Sequence, residues 1–174
     1  MNEIHQLDEL EKRLRIDAFG PAEAWSLGCA LREKAVKSGS PIAIRIDSHG
    51  QILFQCGLPG AVSDNEAWLA GKSRLAQRLG RSSRYVRLYL DERGQSLNEA
   101  FHIPEDEFRP AGGAFPLVHR GGLVLGAVTV SGMTGEKDHR FVAEGLAEWL
   151  GASPDSGGGP GEGSKTRGVS HEQD

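Results

Sequence analysis

Apolar positions in this chain recur at two spacings, and the switches between them mark its elements. Ile4, Leu7, Leu10 and Leu14 lie three and four residues apart among charged neighbours, the spacing of one helical face. Gly20-Pro21 opens a second helix, with proline in the first turn where its missing N–H is not needed. Its apolar stripe is Ala24, Leu27, Gly28, Leu31 and Ala35, and Ser38-Gly39 ends it. A mid-stripe glycine costs about 1 kcal/mol against alanine, so Gly28 predicts a close approach by another element.

Period two then takes over. Ile42, Ile44 and Ile46, the Asp47–Gly50 turn, and Ile52, Phe54 and Cys56 read as a strand–turn–strand hairpin. After Pro59-Gly60, Ser63 and Glu66 have capping-box spacing for a helix carrying Trp68, Lys72, Leu75 and Leu79 and stopping at Gly80. Val86, Leu88 and Leu90 alternate with Tyr85, Arg87 and Tyr89, which predicts a third strand. Ser96 and Glu99 repeat the capping spacing before a short helix, and an acidic connection runs from Ile103 to Pro110. Gly112–Gly132 reads as a second hairpin, and a last helix from about Glu136 to Leu150 turns Val142, Leu146, Trp149 and Leu150 inward. The order ααββαβ(α)ββα predicts an α/β (α+β) fold, with a mainly antiparallel sheet of about five strands flanked by helices.

Composition changes this picture at the C-terminus. Residues 152–174 hold almost no apolar side chains and include Gly157-Gly158-Gly159-Pro160-Gly161. The expected organisation is one domain over 1–151 and a disordered Gly/Ser/Pro-rich tail over 152–174. Within that tail Gly159–Thr166 imitates a phosphate-binding loop, but Ser164 stands in place of the second glycine and neither strand nor helix flanks it. The net charge of −4 argues against a nucleic-acid binder. No apolar run reaches membrane-spanning length and no secretion signal is visible, so a cytoplasmic protein is expected. Cys29 and Cys56 lack metal or redox spacing and read as small buried apolar residues in a reducing compartment.

Candidate chemistry gathers at the second hairpin. Gly112-Gly113 enters it, Ser131-Gly132 closes it, and Asp138-His139 follows at the start of the last helix. Such glycines predict main chain left bare for a flat ligand or a neighbouring protomer. Ser131 has Thr129 and Met133 where a nucleophile elbow needs glycines, so a hydrolase is not indicated. No two histidines have metal-ligating spacing, and no metal site is expected. His102 and His119 read as turn residues. Arg74, Arg78, Arg81, Arg84 and Arg87 form a local basic cluster, which is either a solvated face or a site for a carboxylate, phosphate or haem propionate.

Several of these segments, in this order, resemble the haem-degrading-domain family, the GlcG/HbpS-like proteins, and most closely its branch of small cytoplasmic proteins. The residues that carry the resemblance are Trp25-Ser26-Leu27-Gly28, Pro41-Ile42-Ala43-Ile44, Phe54, Leu58-Pro59-Gly60 and Asp64-Asn65-Glu66-Ala67-Trp68-Leu69 with Lys72. More specific are Gly112-Gly113-Ala114-Phe115-Pro116, Gly126, Val130-Ser131-Gly132 and Asp138-His139. The resemblance implies a profilin-like sandwich, homo-oligomers from dimers to higher rings, and haem or another tetrapyrrole as ligand. Cofactor contacts are then expected at Gly112, Gly113, Phe115, Ser131, Gly132, Met133 and His139. The alternative is a non-catalytic oligomeric interaction module using the glycine hairpin and the Trp68 face. An enzyme acting on a small polar substrate would draw on Lys72, Asp138 and His139.

Overall fold

The computed structural model describes residues 2–151, and the expected tail, with its phosphate-loop mimic, lies outside them. Six helices and four strands follow one another: α1 (Glu3–Arg13), α2 (Pro21–Ser38), β1 (Ala43–Ser48), β2 (Gln51–Gly57), α3 (Asn65–Leu79), α4 (Ser83–Arg93), α5 (Leu97–Phe101), β3 (Ala114–Val118), β4 (Val124–Ser131) and α6 (Gly135–Trp149). The strands form one antiparallel sheet in the order β2-β1-β4-β3. The two hairpins therefore lie side by side, joined along β1 and β4, where Ile44 faces Val130 and Ile46 faces Val128.

Period two in the strands assigns the two faces. Ile44, Ile46, Phe54, Phe115, Leu117, Val128 and Val130 point to one side and build the main core with α2 and α6. The α2 stripe is buried as expected. A Cβ on Gly28 would stand 2.3 Å from the Phe54 ring, which accounts for the glycine. The other face is covered by α3, and there Ala76 lies against Ala114 and Ala127. Small side chains on both partners let the helix approach the sheet closely. A second core of Leu75, Val86, Leu90, Leu97, Ile103 and Phe108 joins α3, α4 and α5 beyond the sheet.

The expected third strand is helix α4, so the sheet has four strands. The segment satisfies both periods. Val86 and Leu90 are four residues apart and buried, while Leu88 is only half-buried. Local chemistry selects the helix. The Ser82 hydroxyl accepts from the Tyr85 N–H, Gly94 closes the other end in the left-handed conformation, and Arg87 pairs with Asp91 one turn on. The capping box expected at Ser63 does not form either. Asp64 precedes the helix, and Glu66 binds Arg45 at 2.9 Å and Gln55 at 2.5 Å instead. The box at Ser96 and Glu99 is present.

The two margins of the sheet differ. The β3 edge is covered: the Ser83 hydroxyl accepts from the Ala114 N–H at 3.0 Å, and Ile16 bridges to the strand through Val118 and Arg120. Among the described residues no strand lies beside the β2 edge, and Ile52 on β2, with nearby Trp25 and Val62, is exposed. Among the described residues no helix is long and apolar enough to cross a membrane.

Candidate functional site

Helix α3 delivers Lys72 to the end of β4, and α6 delivers Asp138 from the opposite face of the sheet. Both are nearly inaccessible, with side chains 3% and 1% exposed, and they pair at 2.9 Å. Lys72 Nζ also donates to the Val130 carbonyl at 3.3 Å. The other Asp138 oxygen accepts from the Met133 N–H at 3.1 Å. Burial outweighs the ion pair at Lys72 and holds the ammonium below the usual lysine range. The two groups that an enzyme on a polar substrate would need are thus turned on each other.

The hairpin glycines serve this junction. Gly113 has φ +130, and a Cβ there would lie 2.5 Å from the Val130 carbonyl and 2.8 Å from Lys72 Nζ. A Cβ on Gly112 would lie 2.0 Å from the Gly135 carbonyl. Gly132, at φ +150, backs onto the Pro41 carbonyl. The bare main chain expected from sequence is therefore covered by the chain's own backbone at Gly112 and Gly113, which are buried, while Gly132 is exposed. Ser131 is buried at the strand end, and Met133 is half-buried against the main core.

His139 follows Asp138 on α6 and is different in kind. It is 8% exposed, and neither ring nitrogen has a hydrogen-bond partner among the described residues. Its ring lies 6.2 Å from that of Phe115, centroid to centroid. Burial, then the Arg84 charge, pushes its pKa down to about 4, with Glu3 opposing weakly. A buried imidazole normally spends at least one nitrogen on a partner. This one is neutral at ordinary pH and has spent neither, which is the donor state a haem iron or a hydrogen-bonding ligand requires. Phe115 supplies apolar surface beside it, and Arg84 supplies a cation. An unspent imidazole, an aromatic ring and a guanidinium paired with Glu3 are thus neighbours here.

The arginine cluster does not converge on a single anion site. Arg84 pairs with Glu3 at 2.8 Å, and Arg81 with Asp8 at 2.9 Å and Glu11 at 2.7 Å, all three acids being on α1. Arg74 donates to the Glu107 carbonyl, and Arg78 lies over the Phe108 ring. Sequence periodicity could not show these partners, because α1 is about 70 residues distant along the chain. His119 accepts the Gly121 N–H in its turn, and His102 closes α5. Cys29 and Cys56 are free and half-buried, not fully buried as expected. Trp68 is partly exposed, donates to Asp64 and lies beneath Arg109. A separate cleft of about 420 Å³ lies beside β2 and the start of α3, lined in part by Gln55, Asn65, Glu66 and Leu69. None of the hairpin candidates lines it.

Residues 19–147 match the model of the family described as haem degrading protein HbpS-like. A UPF0303 protein of Streptomyces coelicolor is 39% identical over 148 residues, covering 85% of this chain and 94% of that one. Among solved structures, the Ybr137w protein superposes with a TM-score of 0.78 at 27% identity, over 86% of this chain and 89% of that one. A PduOC:heme complex superposes with a TM-score of 0.62 at 20% identity, over 75% and 94%. At that last identity the likeness is one of fold.

Two predictions follow from the geometry. Asp138→Ala leaves a buried, unpaired ammonium and is expected to cost about 3–5 kcal/mol, whereas Lys72→Met combined with Asp138→Leu recovers most of it; urea midpoints of the two variants check this. His139 is harder to protonate folded than unfolded, so the unfolded chain binds more protons between about pH 4 and 6.5. Stability therefore rises with pH across that window and is lost on descending through it. His139→Phe is expected to lessen the acid loss by up to ~3 kcal/mol, read as the change in unfolding free energy between pH 6.5 and 4 for each protein.

Proposed function

The chain belongs to the HbpS-like family of haem-degrading proteins, and from that premise we propose that it binds haem or a related tetrapyrrole at His139. The observation that carries the reading is the buried imidazole with both nitrogens unspent. Phe115 would pack against the macrocycle, and Arg84 would meet a propionate. The Gly112-Gly113 turn would act indirectly: its missing side chains let α6 come close enough to place His139. A bound haem would supply its own redox chemistry. The part of this chain would be to hold the macrocycle, keep the imidazole neutral and limit access of water. The haem complex of the PduOC neighbour agrees with such use of the fold.

A second reading, an oligomeric interaction module, is favoured by the free β2 edge and exposed Trp25, Ile52 and Val62. Neither Trp68, engaged with Asp64 and Arg109, nor the buried glycine pair offers so open a surface. The two readings are compatible, since the β2 edge and His139 occupy different parts of the fold.

Haemin titrated into the protein is expected to give a saturable Soret shift at micromolar protein, and His139→Ala to abolish it while the far-ultraviolet spectrum is unchanged. No shift in the parent protein overturns the tetrapyrrole reading. For the module reading, light scattering is expected to show a dimer or larger species that Ile52→Asp dissociates; a monomer at tens of micromolar overturns it.

A further inference from the structure

We propose that the cleft beside β2 and the start of α3 binds a small primary ammonium compound carrying an apolar body and one acceptor oxygen. The site is separate from His139 and stands independently of the tetrapyrrole reading. Its walls come from Ala43 on β1, residues 55–57 of β2, the 61–63 loop and the first turns of α3, around about 420 Å³. That volume lies in the range of small-molecule sites. Ala43 and Leu69, both buried, give it apolar surface at depth. Among the described residues that line it, Glu66 is the only charged one.

Glu66 lies in the first turn of α3 but does not serve as that helix's cap. Its two oxygens accept instead from Arg45 Nη1 at 2.9 Å and from Gln55 Nε2 at 2.5 Å. Arg45 is held in turn by Asp47, whose side chain is 6% exposed and accepts from the Ser73 hydroxyl at 2.6 Å. The Glu66 carboxylate is therefore fixed from behind by a network rooted under α3, while its side chain stays 53% exposed. One guanidinium serves two carboxylates, so the group keeps a net negative charge. A carboxylate offers about four lone-pair positions, and the network leaves some of them open. Gln55, its nitrogen committed to Glu66, adds an amide oxygen as a further acceptor.

Asn65 supplies the opposite function. It is 8% exposed, and its Oδ1 accepts the Val62 N–H at 2.7 Å. That bond sets the orientation of the amide and leaves Nδ2 as a donor on the cleft wall, with no acceptor among the described residues. A side chain so deeply placed normally has its polar atoms engaged. Acceptors at Glu66 and Gln55 beside a donor at Asn65 match an ammonium with a neighbouring hydroxyl or carbonyl oxygen. Ala43, Ala61, Val62 and Leu69 match the hydrocarbon part.

Leucinol is a suitable probe, since it joins an ammonium, a hydroxyl and an isobutyl group. Isoamylamine lacks its hydroxyl arm, and isohexanol lacks its amine. Titrated into the isotope-labelled full chain, leucinol is expected to shift the backbone amides of Gly57, Ala61, Val62 and Asn65 saturably and to leave that of His139 in place. A dissociation constant of about a millimolar is expected for a ligand of this size, and each truncated probe should bind about tenfold more weakly. Glu66→Gln is expected to weaken leucinol and isoamylamine about tenfold and to leave isohexanol unchanged. Ala61→Leu, which fills the cleft without touching its polar groups, should abolish binding of all three. Absence of localised shifts at tens of millimolar leucinol overturns the proposal, as does isohexanol or isoamylamine binding as tightly as leucinol. The comparison of probes in the parent protein decides the matter whether or not either variant folds. Unchanged leucinol affinity in a folded Glu66→Gln variant overturns it as well.

Discussion

The Lys72–Asp138 pair joins the two layers of this protein around the end of its sheet. One partner comes from the helix on one face and the other from the helix on the opposite face, and they meet beside the Val130 carbonyl. An ion pair with so little exposure gains little net stability, because desolvation offsets most of the attraction. Its effect is on geometry. Once Lys72 is buried, Asp138 has to face it, and α6 is then fixed in rotation with His139 directed toward Phe115. The glycines follow from the same constraint. Gly113 has to lack a side chain because the Val130 carbonyl, with Lys72 Nζ beside it, already fills that space, and Gly112 because the start of α6 crosses it.

Much of this is legible in the sequence. The two hairpins, the buried stripe of α2, the close approach at Gly28 and the inward face of α6 all follow from periodicity and punctuation. Helix α4 is ambiguous in the sequence because Val86, Leu88 and Leu90 satisfy a strand period, while Val86 and Leu90 also satisfy a helical one. The signals that decide it, Ser82 at one end and Gly94 at the other, were present in the sequence but are short-range. What no local pattern could supply is the choice of partners across the fold. Five arginines within 14 positions look like an anion site until α1 supplies the acids for two of them.

The same limit applies to the glycine motif. A glycine pair reports that something comes very near the backbone, without saying whether it is a ligand or the chain itself. Here it is the chain. One helical step on from Asp138 lies the His139 imidazole, whose placement depends on that contact.

The unequal margins of the sheet bear on how copies of the chain can combine. A strand ladder blocked on one side and open on the other admits a single addition in its own plane. Two molecules meeting through their β2 strands about a two-fold axis would consume both open margins and present only covered ones outward. Growth by this route therefore terminates at a pair, and an eight-stranded sheet would be its limit rather than a fibre.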